Sequence, residues 1–184
     1  MSKFNVSTES LEKVINLLNQ DMIDGLSADP ANRAKSPLKM VPTFVRSIPD
    51  GTETGDYLAL DLGGTNFRVL LVQLCRDEVH MENDIFPLNE ALMTSDAVTL
   101  FDYIADCIDI FLKKRGITNK FLPLGFTFSF PVNQLSLNSG KLICWTKGFT
   151  AEGVEGEDVV KLMSEALQRK GVSPFSINLT VSKM

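Results

Sequence analysis

The sequence is poor in the residues that build metal centres and disulfide scaffolds. It holds one histidine, His80, and three cysteines among 184 residues. A lone histidine cannot supply a histidine metal cluster or a catalytic triad, so we expect a solvated imidazole in a loop. The cysteines are an odd number at wide spacing without a CxxC pair, which fits neither a zinc site nor a disulfide framework. We therefore expect reduced thiols at Cys75, Cys107 and Cys144, and a cytoplasmic protein.

Long apolar runs and an excess of positive charge are also missing. No segment approaches the ~20 consecutive apolar residues that a membrane span needs, and the polar N-terminus is not a signal peptide. The formal net charge of -5 provides no basic field to attract nucleic acid or anionic lipid. A polyanionic substrate would need local hydrogen-bond donors or a metal ion.

The residues that are present predict an α/β protein. The hydrophobic content of 44% suffices for a core. Helical spacing marks residues 7–26, 101–116 and 155–171, and strand patterns mark 58–72, 79–86, 122–132, 141–146 and 177–181. In 58–72, Gly63-Gly64 predicts a hairpin turn between two strands. The order of strands, helix, strand pair, helix and strand favours a mixed β-sheet flanked by helices.

The first helix carries an apolar stripe and precedes a loosely patterned connector. Ser7 and Thr8 open the helix and Gly25 ends it. Prolines punctuate the connector up to residue 54. We therefore expect residues 1–54 to form a helix with a connector and residues 55–184 to form a second unit. The stripe consists of Leu11, Val14, Ile15, Leu18 and Met22.

The hairpin turn has the composition of an anion site. Glycines let backbone N–H groups approach a ligand, Thr65 and Asn66 add side-chain donors, and Asp61 at the strand end can hold a cation through its water shell. The spacing matches neither the P-loop nor the dinucleotide fingerprint. A plain hairpin in which Asp61 bonds the backbone is an equal alternative, and Arg68 either meets phosphate or faces solvent. The candidate nucleotide residues are thus Asp61, Gly63, Gly64, Thr65, Asn66 and Arg68.

Two stretches identify a family by resemblance. DLGGTNFR resembles the first phosphate motif of the actin-like ATPase superfamily, which includes sugar kinases, chaperones and actin. LGFTFSFPVNQLSLNSGKLICWTKGF, residues 124–149, resembles the sugar-binding signature of hexokinases. The chain is therefore similar to the eukaryotic hexokinase and glucokinase family from about residue 55 to about residue 171. A bacterial-type sugar kinase or an actin-like chaperone would share the first stretch without the second.

The resemblance implies a fold, a reaction and a set of roles. The fold would be the small lobe of a ribonuclease H-like, actin-like ATPase, and the reaction ATP-dependent phosphorylation of a hexose at its 6-hydroxyl, which begins glycolysis. Ser129, Thr146 and Lys147 would bind sugar hydroxyls, with Lys147 also positioning the reactants, while Phe130 and Pro131 shape the wall. ATP with Mg²⁺ would be the phosphoryl donor, and Asp61 would order the waters of the metal ion.

The sequence departs from the family after its last strand. The resemblance places a catalytic aspartate there, in a segment such as VVNDTVGT, but INLTV is followed by Ser182-Lys183-Met184. We therefore expect an N-terminal small lobe, truncated before the large lobe that is its natural partner, with little or no turnover alone. The alternative is a non-catalytic sugar-binding or regulatory fragment. The first helix packs on the large lobe in the family, so we expect its stripe to lack its native partner here and the helix to be mobile, self-associating or docked elsewhere.

Overall fold

The computed structural model describes residues 6–38, 40, 44, 47–76, 78–118 and 120–172, together with the backbone of residues 176–181. The chain divides into two compact units, Met1–Pro42 and Thr43–Met184. The predicted boundary after residue 54 falls inside the second unit, just before its first strand. Within the described residues, no helix is both long and apolar enough to cross a membrane.

The first unit contains the predicted helix and a short second one. Helix α1 spans Thr8–Gly25, and the side chain of Ser7 caps it by accepting the N–H of Ser10. Helix α2, Pro30–Lys35, was not predicted, although Asp29 before Pro30 is an N-cap followed by a first-turn proline. Asp29 accepts the N–H of Ala31 at 2.9 Å, as such a cap should.

Residues 36–38 pack against the C-terminal part of α1. The hydroxyl of Ser36 donates to the carbonyl of Asp21 at 2.7 Å. A Cβ on Gly25 would collide with the carbonyl oxygen of Leu38, so glycine is required there by close approach and not only as a helix stop. The apolar stripe of α1 stays exposed: the exposed fractions are 51% for Leu11, 58% for Val14, 55% for Ile15 and 48% for Leu18.

The second unit is built on a mixed five-stranded sheet, which confirms the predicted fold class. The strands lie in the order β3-β2-β1-β4-β7. The pairs β1–β2 and β2–β3 are antiparallel, whereas β1–β4 and β4–β7 are parallel. The strands are β1 Gly55–Leu62, β2 Asn66–Cys75, β3 Glu78–Pro87, β4 Pro123–Phe128 and β7 Ser176–Val181. His80 therefore lies exposed on a strand, not in a loop.

Three helices join this sheet: α3 Glu90–Met93, α4 Ala97–Arg115 and α5 Val159–Arg169. Helix α4 begins after the N-cap Asp96 and ends at Gly116, which adopts the left-handed conformation with φ of 65°. Its apolar stripe joins one face of β1, β2 and β4 in a single buried cluster. Cys107 lies in that stripe, and burial raises the pKa of its thiol to about 11, whereas Cys75 and Cys144 are exposed.

A separate hairpin corrects the prediction for residues 132–146. Strands β5 Val132–Ser136 and β6 Ser139–Leu142 pair antiparallel, and β5 was not predicted. The predicted strand 141–146 ends at Leu142 because the backbone donors take different partners. The N–H of Leu142 donates to the carbonyl of Glu157, that of Ile143 to the carbonyl of Pro131, and that of Trp145 to the carboxylate of Glu155. No continuous ladder can form with such partners.

Candidate functional site

The predicted site residues that follow β1 and β4 meet at one edge of the sheet. Because these strands are parallel neighbours, with Leu62 opposite Phe128, their carboxyl ends lie side by side. The N–H of Ser129 reaches the carbonyl of Leu62 at 3.4 Å. The carboxyl edge of parallel strands is where α/β folds commonly bind ligands, so the topology alone groups Ser129 with the residues after β1.

Residues 63–65 form the connection between β1 and β2, here called the glycine turn. The N–H of Gly63 donates to the carbonyl of Asn66 at 3.2 Å and closes it. Neither glycine has a positive φ, so the usual reason for a Gly-Gly hairpin does not apply. The glycine at position 64 serves close packing, because a Cβ there would lie 3.3 Å from Cδ of Lys147. The N–H groups of Gly64 and Thr65 have no partner among the described residues.

Asp61 and Arg68 face each other across β1 and β2. The carboxylate of Asp61 lies 3.6 Å from the guanidinium of Arg68, and the two side chains are 36% and 50% exposed. Within the part of the chain that the structure describes, no hydrogen bond joins the Asp61 side chain to the glycine turn, and its partner is Arg68. The described residues also contain no group of three acids, cysteines or histidines able to hold a metal ion. Nearby, the side-chain amide of Asn66 donates to the hydroxyl of Thr65 at 3.2 Å.

Residues 146–149 form a second turn, here called the lysine turn. The N–H of Phe149 donates to the carbonyl of Thr146 at 3.1 Å, and the central residues Lys147 and Gly148 have φ of 56° and 83°. Two positive φ values are the sign of a type I′ turn. Glycine adopts this conformation freely, but for lysine it costs roughly 1–2 kcal/mol. Backbone strain of this kind persists where neighbouring contacts fix the conformation, and such places are often functional.

The lysine turn brings Lys147 against the glycine turn and close to Phe130, just after β4. The aliphatic stem of Lys147 lies on Gly64, and its ammonium is 5.5 Å from the ring centre of Phe130. The hydroxyl of Thr146 is buried without a hydrogen-bond partner among the described residues. A buried hydroxyl without a partner costs stability, so Thr146 offers a hydrogen-bonding group that water or a polar ligand would satisfy. Of the other predicted sugar residues, Ser129 is half-buried, Phe130 buried and Pro131 exposed.

Aromatic rings support the lysine turn from behind. Trp145 meets Phe130 edge-to-face at 4.8 Å between ring centres and stacks on Phe149 at 5.1 Å. Its indole N–H donates to the carbonyl of Ala151 at 2.8 Å. The loop that continues to Glu155 lines an open pocket of about 430 Å³ together with Trp145 and Phe149. Ser129, Thr146 and Lys147 are not among the residues that line this pocket.

The sequence reasoning missed Glu155, whose Oε1 accepts the backbone N–H of Trp145 at 2.7 Å. The sequence suggested only that this acid belongs to the first turn of the following helix. In the structure that helix begins at Val159 and is capped by Asp158, which accepts the N–H groups of Val160 and Lys161. No periodicity or spacing marks Glu155, because its partner is ten positions away in an irregular segment.

The fold is that of a lobe of the actin-like ATPase class, with the glycine turn beside a polar lysine turn that aromatic rings support. The sequence profile of the hexokinase family matches residues 1–182, and the chain belongs to the hexokinase family. It is 48% identical over 170 residues to hexokinase-3 of Rattus norvegicus and 48% identical over 169 residues to hexokinase-2 of Homo sapiens. These alignments cover 92% and 90% of the chain but 18% of each relative.

Solved structures agree with the sequence comparison. A hexokinase from Schistosoma mansoni complexed with glucose matches 97% of this chain with a TM-score of 0.78 and 37% identity. A second hexokinase crystal structure matches 96% of the chain with a TM-score of 0.79 and 30% identity. The chain spans 39% and 42% of these two proteins and under a fifth of the curated relatives.

Proposed function

We propose that this chain is the lobe of a hexokinase that binds the sugar and part of the nucleotide in ATP-dependent phosphorylation of a hexose, with glucose the first candidate. The observation that carries the proposal is the buried, unpaired hydroxyl of Thr146, beside a lysine whose stem rests on Gly64. A sugar hydroxyl at Thr146 would satisfy that group. The packing of Lys147 on the glycine turn would keep the sugar beside the phosphates. Cytoplasmic location and entry into glycolysis stay predictions.

The sugar end of the site would act by directional hydrogen bonds. Ser129 and Thr146 can each donate to or accept from a hydroxyl, and the ammonium of Lys147 can donate only. Phe130 and Pro131 would form the wall. A site whose buried polar groups go unpaired without the right hydroxyls discriminates strongly among substrates. Lys147 remains a charged donor that positions the 6-hydroxyl and is not its proton acceptor.

The phosphate end would use the glycine turn. The partnerless N–H groups of Gly64 and Thr65 are suited to phosphate oxygens, and the side chains of Thr65 and Asn66 can add donors. Because the described residues offer no group of three metal ligands, Mg²⁺ would be held mainly by the nucleotide and by water molecules, which Asp61 would order. When bound, the ion would neutralise charge on the phosphates. Arg68 lies beside Asp61 and would also neutralise charge on the phosphates. Positioning of the reactants would account for most of the acceleration of phosphoryl transfer.

The proton acceptor is not among the site residues that the structure brings together. We propose that the base and the remaining sugar contacts come from sequence of the kind that makes the solved relatives more than twice as long. Loss of a positioned base lowers rate by about 10²–10⁴-fold. The 184 residues alone would therefore bind sugar with little or no turnover, which is also what a sugar-binding or regulatory fragment would do.

The test is a glucose titration of the 184-residue chain, with the fluorescence of Trp145, its single tryptophan, as the signal. We expect Thr146→Val to raise the Kd for glucose about 10-fold while leaving the chain equally or more stable, because an unpaired hydroxyl is removed. Thr150→Val is the matched control, since Thr150 is an exposed threonine in the same loop. A coupled assay for glucose 6-phosphate measures turnover. An unchanged Kd in Thr146→Val, or no saturable glucose signal in the unaltered chain, would contradict the proposal.

A further inference from the structure

We infer that Glu155 is a positioning residue that fixes the lysine turn in its sugar-binding conformation. The effect of Glu155 on sugar binding rests on the proposed function, whereas its support of the lysine turn can be tested separately. Among the described residues, the Glu155 side chain forms no hydrogen bond with the proposed sugar contacts. It acts through the backbone of Trp145, the residue immediately before Thr146.

Glu155 is held so that its side chain can reach Trp145. Its backbone forms a parallel bridge with Leu142, and the N–H of the next residue, Gly156, donates to the carbonyl of Leu142 at 2.8 Å. The backbone of Glu155 lies opposite Leu142, and its carboxylate accepts the N–H of Trp145, three residues after Leu142, at 2.7 Å. Hydrogen bonds from a backbone N–H to a carboxylate are among the stronger ones in proteins.

The lysine turn needs such support because its backbone is strained. Lys147 has φ of 56°, and a residue with a Cβ keeps a positive φ only where neighbouring contacts hold its backbone. Downstream, the N–H of Phe149 closes the turn on Thr146, and the carbonyl of Ala151 fixes the indole of Trp145. Upstream, residues 143–146 form no strand, and the bond to Glu155 is what holds the N–H of Trp145.

Loss of this bond would therefore act on Lys147. If the turn relaxed toward negative φ, the stem of Lys147 would leave Gly64 and its ammonium would move from the ring of Phe130. Misplacement of a contact by about 1 Å can lower catalytic or binding function up to 10²-fold. Glu155 forms no ion pair among the described residues, so its role is to accept the hydrogen bond from the N–H of Trp145.

The experiment compares three variants of the 184-residue chain by calorimetric titration with glucose, because that signal does not depend on Trp145. Glu155→Ala removes the acceptor, and Glu155→Gln retains a carbonyl oxygen at the same place. Glu152→Ala is the matched control, since this exposed glutamate lies in the same loop and its side chain makes no hydrogen bond within the described residues. Amide hydrogen exchange at Trp145 is measured on the same samples by NMR.

We expect Glu155→Ala to raise the Kd for glucose about 10-fold or more and to accelerate exchange of the Trp145 amide by a similar factor. Glu155→Gln should stay within about threefold of the unaltered chain, and Glu152→Ala should not differ. An unaltered glucose Kd in Glu155→Ala would overturn the inference. If the unaltered chain shows no glucose binding, the proposed function fails, and Trp145 exchange alone decides: loss of protection in Glu155→Ala with retention in Glu155→Gln supports the positioning role, and equal protection overturns it.

Discussion

Helices α1 and α4 present the same kind of apolar stripe to very different surroundings. They contain 18 and 19 residues, and each is capped at its start by a side-chain oxygen, from Ser7 and Asp96 respectively. In α4 the side chains of Ile104, Ile108 and Phe111 are fully buried. The stripe of α1, by contrast, is about half exposed at every position from Leu11 to Leu18.

The two helices also differ in how their ends are fixed. The last turn of α4 carries Lys113, Lys114 and Arg115, and Gly116 closes it in the left-handed conformation. Lys114 and Arg115 pair with Asp84 on β3. The last turn of α1 has no basic residue. Amphipathic spacing thus specifies a helix in both places, whereas burial of the stripe depends on a partner surface that spacing does not describe.

The largest expected consequence of this comparison is a difference in hydrogen exchange. An isolated helix of this length is marginal in water, so amides of α1 should exchange nearly as fast as those of a fraying peptide. Amides at the centre of α4 should open only with global unfolding, which makes them at least about 10³-fold slower. Exchange measured by NMR or mass spectrometry, together with the sedimentation coefficient, checks this prediction. Strong protection of α1 in a monomer would contradict it, whereas protection that grows with concentration would show self-association.

A matched pair of substitutions sharpens the comparison at the level of stability. Ile108→Ala deletes a fully buried side chain and should lower the free energy of unfolding by about 2–5 kcal/mol. Ile15→Ala makes the same chemical change at a side chain that is 55% exposed, and it should stay within about 0.5 kcal/mol. Urea unfolding followed by Trp145 fluorescence reports on both. Equal losses in the two variants would mean that the stripe of α1 is buried in solution.

The sequence predicted well those parts of the fold that depend on local pattern. The buried alternation of Leu124, Phe126 and Phe128 and the stripe of α4 each repeat with the period of one element. Helix α2 was missed although Asp29 and Pro30 carry its start signal, because six residues show no periodicity. The strand at residues 141–146 was predicted too long, because the hydrogen-bond partners after Leu142 lie ten or more residues away along the chain.

In the site, too, features set by local sequence were predicted, and features that depend on distant parts of the chain were not. The two motifs named Asp61, Ser129, Thr146 and Lys147 from their order along the chain, and the parallel pairing of β1 and β4 explains how the first two come to one edge. The role of Gly64 could not be predicted, since its neighbour Lys147 is more than 80 positions away. The left-handed backbone of Lys147 could not be predicted either, because a lysine gives no local signal for a positive φ.

An effect smaller than that of Ile108→Ala is expected at the ion pairs that hold the end of α4 to β3. The carboxylate of Asp84, only 20% exposed, lies 3.2 Å from the guanidinium of Arg115 and 3.1 Å from the ammonium of Lys114. The hydrogen bond from Arg115 lowers the pKa of Asp84 below 3.8, with Lys114 adding to the effect. We expect Asp84→Asn to lower the free energy of unfolding by about 1–2 kcal/mol at pH 7, between the values for exposed pairs and for charged hydrogen bonds.

The sign of the pH dependence follows from the lowered pKa of Asp84. A carboxyl with a depressed folded pKa contributes its stability above the unfolded value of 3.8, and that contribution is lost as the pH falls through the folded pKa. The difference between Asp84→Asn and the unaltered chain should therefore be constant from pH 7 to about 5 and shrink as the pH falls below 3.8. Glu82→Gln is the matched control, because Glu82 also meets Arg115 but is 58% exposed and should contribute less. Urea titrations at four pH values decide the matter, and a difference that persists at pH 2 would show that Asp84 acts by packing and not by charge.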